Sequence, residues 1–401
     1  MDMFRTLWPP PARVTLAGRS WRVPDGVTEY IALPNARRPK LLIPRQPRRA
    51  SSAAVRNFKA SASTSVDLRL RALSMAARIG ALDLLPDRIL VETPGGSPDS
   101  DIDAYLSHAL QRRLAISFYV GPARAVQKPV LQLLSLDGET LGFAKIGVND
   151  ATRRLVQSEA ATLESVASLS WVHVTVPQVL HRGSWRSHGV LVQQALAKTS
   201  SAKNDPLLLA KAMVELAGAR GRSMHQLAAS PFWRKVRSRL ENIPMTANLA
   251  HVSSAASQIE SLAGTRMIEF GSWHGDWAPW NMAISGDRVL LWDWEHFELG
   301  VPVGFDAVHH HIQRAVVVER LSPAAAFASM AKQGHSLLGP FGVAPQHVSL
   351  VVFLYLIGLV TGYMETGETH TVLARLDDWL VPELQRQTAS LVRDFEKTRQ
   401  P

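Results

Sequence analysis

The sequence predicts an α+β protein of two unequal lobes, a smaller strand-rich lobe followed by a larger, mainly helical one, with an additional N-terminal leader. Three observations carry this expectation. Apolar alternation rich in β-branched and aromatic residues dominates from Leu114 to about Leu196. Helical spacing dominates from about residue 204 onward. That helical region is interrupted between residues 270 and 306, where chemically capable polar side chains gather. The expected organisation is a leader over residues 1–110, a strand-rich lobe over 111–196 and a helical lobe over 197–401.

Composition bounds the alternatives. The chain has 401 residues, 46% hydrophobic and 19% charged, enough to bury a large core. It has no cysteine, which excludes a disulfide framework and any thiolate nucleophile or ligand. The opening MDMFRTLWPPPARV lacks the apolar core and cleavage site of a secretory signal, so a cytoplasmic location is expected. No stretch approaches the ~20 uncharged apolar residues of a membrane span. The longest, Val348 to Val360, is followed by Tyr363, Glu365 and Glu368 and is expected as a buried helix.

The net charge of +10 is local in origin. Between Glu29 and Asp67 there is no acidic residue, while Arg37, Arg38, Lys40, Arg45, Arg48, Arg49, Arg56 and Lys59 contribute eight positive charges, leaving about +2 on the remainder. The Ser/Ala/Pro-rich stretch 37–65 reads as a solvated, partly mobile arm. The alternative is a patch over residues 37–59 for nucleic acid or an anionic surface. No aromatic interleaving or zinc spacing supports sequence-specific nucleic-acid reading.

Along the leader, WRVPDGVTEYIALP suggests short strands around a Pro24-Asp25-Gly26 turn. Helical spacing follows from Asp67 to Leu82 through Leu70, Leu73 and Ala77, and again from Asp101 to Arg113 after the GGSPDSD breaker. No function follows from these features. In the strand-rich lobe, LAISFYV is one strand, and VLQLLSL and TLGFAKIGV form a hairpin around Asp137-Gly138. Asn149 and Asp150 are suitable helix caps for a helix to about Ala167. HVTVPQVLHRG and GVLVQQAL are two further strands.

Lys145 lies within the apolar strand TLGFAKIGV, where an unpaired ammonium is costly to bury. On the next helix Leu155, Glu159, Leu163 and Val166 share one face. A carboxylate in that stripe needs a partner, and Lys145 is the obvious one. Taken alone, Lys145 would read as a lysine snorkelling from an edge strand; Glu164 lies off the helix face.

The segment GSWHGDWAPWNMAISGDRVLLWDWE holds the richest chemistry. Asp276 precedes Asn281 by five residues; a strand from Met282, a Gly286-Asp287 turn and a second strand ending at Trp292 then lead to Asp293. Such a hairpin would fold Asp293 back beside Asn281. Magnesium takes hard oxygen ligands, and phosphoryl transfer needs a carboxylate to orient and deprotonate the attacking hydroxyl. One loop and one hairpin meet both needs.

HGDWAPWN followed by LLWDWE resembles the catalytic loop and metal-binding aspartate of the aminoglycoside phosphotransferase and choline kinase family, a branch of the protein-kinase-like fold. The resemblance implies a two-lobed protein-kinase-like fold using ATP and Mg2+. It implies Asp276 as catalytic base, Asn281 and Asp293 as magnesium ligands, and His274 as loop support. GVPVGFD resembles the family's Gly-x-Pro-x-x-x-Asp run, whose aspartate, here Asp306, would brace the loop. Lys145 would then hold the nucleotide's phosphates, with Glu159 positioning it. Backbone amides from Gly121 to Ala125 would cover them, and Gln193, Gln194 and the residues to Leu196 would lie near the adenine, mainly through backbone groups.

The acceptor is expected to be a hydroxyl of a small molecule such as a sugar or an amino alcohol. Ala278 stands where kinases of protein serine or threonine usually carry lysine, and no Ala-Pro-Glu follows Asp293, which disfavours a protein substrate. Trp280 and Trp294 are candidates for a substrate wall and Glu295 for an amine or hydroxyl contact, with core packing and solvated acids as the plainer readings. His309-His310-His311 is not expected to bind a metal, because consecutive helical residues point about 100° apart. The readings of another kind are a catalytically silent binding or regulatory module, or binding of an anionic partner through the leader.

Overall fold

The computed structural model describes residues 2–18, 27–56, 64–93, 100–120, 128–197, 205–367 and 374–399. The chain divides into two compact units, Met1–Ser168 with Val176–Lys198, and Leu169–Thr175 with Thr199–Pro401. The first is strand-rich and the second mainly helical, so the α+β expectation holds. Gly121, Lys59, the Pro24-Asp25-Gly26 turn and most of the linker before Asp205 lie outside the described residues.

Among the described residues of the first unit, nine strands form one antiparallel sheet. They are β1 (Arg13–Ala17), β2 (Val27–Leu33), β3 (Leu41–Pro44), β4 (Arg88–Glu92), β5 (Ala115–Tyr119), β6 (Val130–Leu134), β7 (Thr140–Gly147), β8 (Val179–Trp185) and β9 (His188–Gln194), in the order β1-β4-β2-β3-β5-β6-β7-β9-β8. The break expected at residue 110 does not separate two units. β3 pairs with β5 at Leu41↔Tyr119 and Leu42↔Phe118, so the leader's strands continue the sheet. Phe4, Leu7, Trp8 and Tyr30 join Phe118, Leu131 and Ile146 in a shared core.

The basic stretch is also built in. Helix α1 (Arg48–Arg56) buries Ala50, Ala54 and Val55, its small residues letting it lie close to the sheet, and packs with α2 (Thr64–Ile79). Arg45 bonds Glu29 at 2.9 Å and Asp83 at 3.1 Å, and Arg49 reaches Asp137 at 3.3 Å. The solvated-arm expectation is therefore corrected over these residues. A run without local acids still finds acids brought by tertiary structure.

The expected hairpin joins β6 to β7, and Gly138 adopts φ +87° at its turn. Helix α3 (Ile102–Ala109) is capped by Asp101. After β7, α4 (Asp150–Val166) starts at Asn149, whose side chain accepts from Thr152 N while Thr152 Oγ1 accepts from Asn149 N, a capping box.

In the second unit, α5 (Pro206–Gly218) precedes a three-stranded sheet of β10 (Ser223–Gln226), β11 (Met267–Trp273) and β14 (Glu298–Pro302). The predicted hairpin forms from β12 (Met282–Ser285) and β13 (Arg288–Leu291), with Met282↔Leu291 and Ser285↔Arg288 in register. Val174–Thr175, expected as part of the small lobe, instead pairs parallel with β13. Two side chains explain the exchange. Glu215 of α5 accepts from His173 N at 2.8 Å and Val174 N at 3.1 Å, and Arg288 donates to Thr175 Oγ1 at 2.7 Å and Val172 O at 3.0 Å.

The core of this unit surrounds α6 (Phe305–Gln313) and α7 (Val348–Thr366). By length and composition α7 with its preceding turn, Pro345–Thr366, is long and apolar enough to cross a membrane, contrary to the sequence expectation that no stretch was. Here it is a core helix, and Leu350 through Ile357 are all buried.

β11 approaches α5 so closely that a Cβ at Gly271 would lie 2.2 Å from Ala217 O, a backbone atom that cannot turn aside. At the β12–β13 turn Gly286 has φ +62° but no atom within 4 Å of a Cβ. Gly271→Ala is expected to cost about 3 kcal/mol or more by overpacking. Gly286→Ala should cost about 1 kcal/mol, from the left-handed backbone alone. Urea unfolding of the two variants checks the ranking; equal losses would contradict it.

Candidate active site

In the first unit, β7 carries Lys145 inward, opposite Val130 on β6 and Leu191 on β9. Lys145 is 5% exposed and Glu159 fully buried. Lys145 Nζ donates to Glu159 Oε1 at 2.5 Å, and Lys128 Nζ lies 3.6 Å from Oε2. The pairing read from helical spacing is thus present, with Lys128 as a second cation that the sequence reading missed. Glu164 instead bonds Arg182 at 2.7 Å on the surface.

Gln193 is buried beside Phe143, and its amide oxygen has no hydrogen-bond partner among the described residues. Gln194 is exposed. Its N–H donates to Gln178 O at 2.8 Å and that of Ala195 to Leu141 O at 3.1 Å. The expectation that these backbone groups serve a nucleotide base is corrected for the two donors, which the strand and its flanking loop already use.

In the second unit, His274-Gly275-Asp276 leaves the end of β11. Gly275 has φ +87°, and a Cβ there would lie 2.2 Å from His296 O, so the loop requires glycine. Asp306, at the start of α6, accepts from His274 N at 2.9 Å and from Gly275 N at 3.4 Å. Burial pushes the Asp306 carboxyl up to about 7, against the pull of those N–H groups. His274 is completely buried, and burial pulls its imidazole down to about 4, so it is neutral and its Nδ1 can accept from Asp276 N at 3.3 Å.

Asp276 is held at both oxygens. Asn281 Nδ2 donates to Oδ2 at 2.7 Å and to the backbone O at 3.0 Å, and His309 Nε2 lies 3.0 Å from Oδ1. Burial works to raise this carboxyl, but the hydrogen bond with His309 prevails and holds it below the usual range. The turn Ala278 to Asn281 and the bond from Trp292 N to Asn281 O at 3.1 Å bring the end of the hairpin beside the loop. Asp293 follows with φ +72°, a left-handed conformation that Asp tolerates better than most residues and that recurs at functional sites.

These residues offer oxygens of the kind magnesium takes. With Nδ2 turned to Asp276, Asn281 Oδ1 is its free acceptor end, and the carboxylates of Asp293 and Glu295 approach within 4.8 Å of each other. Glu295, expected as a substrate contact, thus joins the metal-capable oxygens.

Trp294 is corrected. It is fully buried, donates Nε1 to Leu291 O at 3.0 Å and packs its ring 5.0 Å from that of His274, so it cannot line a substrate wall. The strand end turns into a single helical turn there, and that turn points the indole inward. Trp280 stays 38% exposed. A second residue missed by sequence reasoning is His309. Its signal was present as the Asp306–His309 spacing of three, which places both on one helix face.

No family model matches the chain, and no curated protein does. Several solved structures are similar to it. An aminoglycoside phosphotransferase aligns at 11% identity and a TM-score of 0.48, covering 75% of this chain and 100% of its own. A choline/ethanolamine kinase family protein from Mesorhizobium loti aligns at 14% and 0.41, covering 71% and 94%. A choline kinase from Streptococcus pneumoniae aligns at 16% and 0.40, covering 68% and 92%. All three scores lie below 0.5, so the functional reading rests on this chain's own residues.

His310, next to His309, provides a pH test. Burial pulls its imidazole down to about 4, although its Nδ1 bonds Trp277 O at 3.2 Å. The unfolded chain takes up this proton near 6.5 and the folded chain only near 4, so the stability conferred by the neutral ring is present above 6.5 and lost as pH falls toward 4. The loss is on the order of 2–3 kcal/mol. Denaturant titrations between pH 4 and 7 should show a shallower acid decline in His310→Gln than in the parent chain.

Proposed function

We propose that the chain is a small-molecule kinase that transfers the γ-phosphoryl group of ATP to a hydroxyl of a small acceptor, such as a sugar or an amino alcohol. The observation that carries this reading is the loop and hairpin in which Asp276 is held by Asn281 with Asp293 at the adjoining strand end. A carboxylate fixed in this way can accept a hydrogen bond from the acceptor's hydroxyl and take its proton as the new O–P bond forms. Lys145, paired with Glu159, would hold the nucleotide's phosphates. Magnesium, when bound by Asn281, Asp293 and Glu295, would neutralise the charge that develops on the phosphoryl oxygens. Asp306 and His274 would keep the loop in register. With Trp294 in the core, Trp280 is the aromatic left to face an acceptor.

An acceptor screen that monitors ADP release tests the activity. Asp276→Asn should lower kcat by about 10²–10⁴-fold while the affinity for ATP stays within about twofold. Full activity in that variant removes Asp276 from the role. Melting measured with ATP, with and without magnesium, separates this reading from a silent module, for which neither condition would raise Tm.

A further inference from the structure

We infer that His309, itself fixed by Tyr355, is a positioning residue for the Asp276 carboxylate. The inference builds on the reading of Asp276 as the base, yet it begins from a separate observation. One unbroken chain of polar atoms, buried at Tyr355 and His309, runs from α7 through α6 to the loop. Tyr355 OH lies 3.0 Å from His309 Nδ1, and His309 Nε2 lies 3.0 Å from Asp276 Oδ1. Tyr355 and His309 are 1% and 4% exposed.

The direction of the chain follows from its donors and acceptors. An ionised carboxylate only accepts, so the proton on His309 must sit on Nε2. In the neutral ring Nδ1 is then an acceptor, and Tyr355 is the donor that selects this tautomer. Burial holds the Tyr355 phenol well above its ordinary range, so its O–H is retained. The Gln313 amide, 3.4 Å from Nε2, is a longer contact from the next turn of α6.

Packing sets the ring plane. His309 meets Trp273 edge-on at 6.3 Å and Tyr355 at 6.0 Å, and Tyr355 meets Phe305 edge-on at 5.7 Å. Asp306, three residues earlier on α6, grips the loop backbone. One helix thus fixes the loop's main chain through Asp306 and its carboxylate through His309. With Asn281 on Oδ2 and His309 on Oδ1, the carboxylate plane cannot rotate, and each oxygen keeps a lone pair for a hydroxyl.

A purely structural histidine would give the same burial, so the test separates the two roles. Nitrogen-15 spectra of imidazole-labelled protein, with His309 assigned by its loss in His309→Gln, should show Nε2 protonated. Those signals should move in both Tyr355→Phe and Asp276→Asn. In turnover assays His309→Leu should lower kcat about 10–100-fold with KM for ATP unchanged, a range typical of groups that orient a reacting group. His309→Gln, which places an amide N–H near Nε2, should recover most of the loss. An unprotonated Nε2, signals indifferent to Asp276→Asn, or equal impairment in the Leu and Gln variants would overturn the inference. If the parent chain turns over no acceptor, the kinase reading fails, while the imidazole spectra still decide the pairing.

Discussion

The geometry of the second unit hangs on a carboxylate placed where burial resists it. Asp306 is 3% exposed, and its position is tolerable because two backbone N–H groups of the His274–Gly275 turn point at it. Those N–H groups would in turn be orphaned without it. The turn needs glycine at 275, since any side chain would strike His296 O. Neither partner is satisfied without the other, and so the path of the chain after β11 is determined. Asp276, Asn281 and Asp293 inherit their places from that path.

A second buried pairing organises the first unit. Lys145 and Glu159 join the middle of β7 to α4, with Lys128 as a further cation beside Glu159 Oε2. Buried ion pairs contribute little net stability, because desolvation offsets the attraction. Removing one partner, by contrast, leaves an uncompensated charge in the core, so such a pair specifies register more than it stabilises. It ties the strand that carries the lysine to the helix that carries the acid.

The leader shows how charge runs mislead when read alone. Arg45 is paired with Glu29 and Asp83, and the adjacent helix buries Ala50, Ala54 and Val55. Small residues that suggest a flexible arm are also those that let a helix lie close to a sheet. The exposed Arg49–Asp137 pair, by comparison, contributes little.

What the sequence determined by itself was local. Asn149 and Thr152 cap a helix wherever that helix lies, Gly138 and Gly286 turn their hairpins, and the four-residue rhythm from Leu155 puts Glu159 on the apolar face. The loop and hairpin holding Asp276, Asn281 and Asp293 were legible for the same reason, because they lie within eighteen residues of one another. Tertiary structure alone decided the rest. It put the leader's strands into the sheet, gave Val174–Thr175 to β13 and brought Tyr355 and His309 to Asp276. Each of those contacts joins groups far apart in the chain, and no local rule of spacing or propensity encodes which distant partner a buried donor will meet.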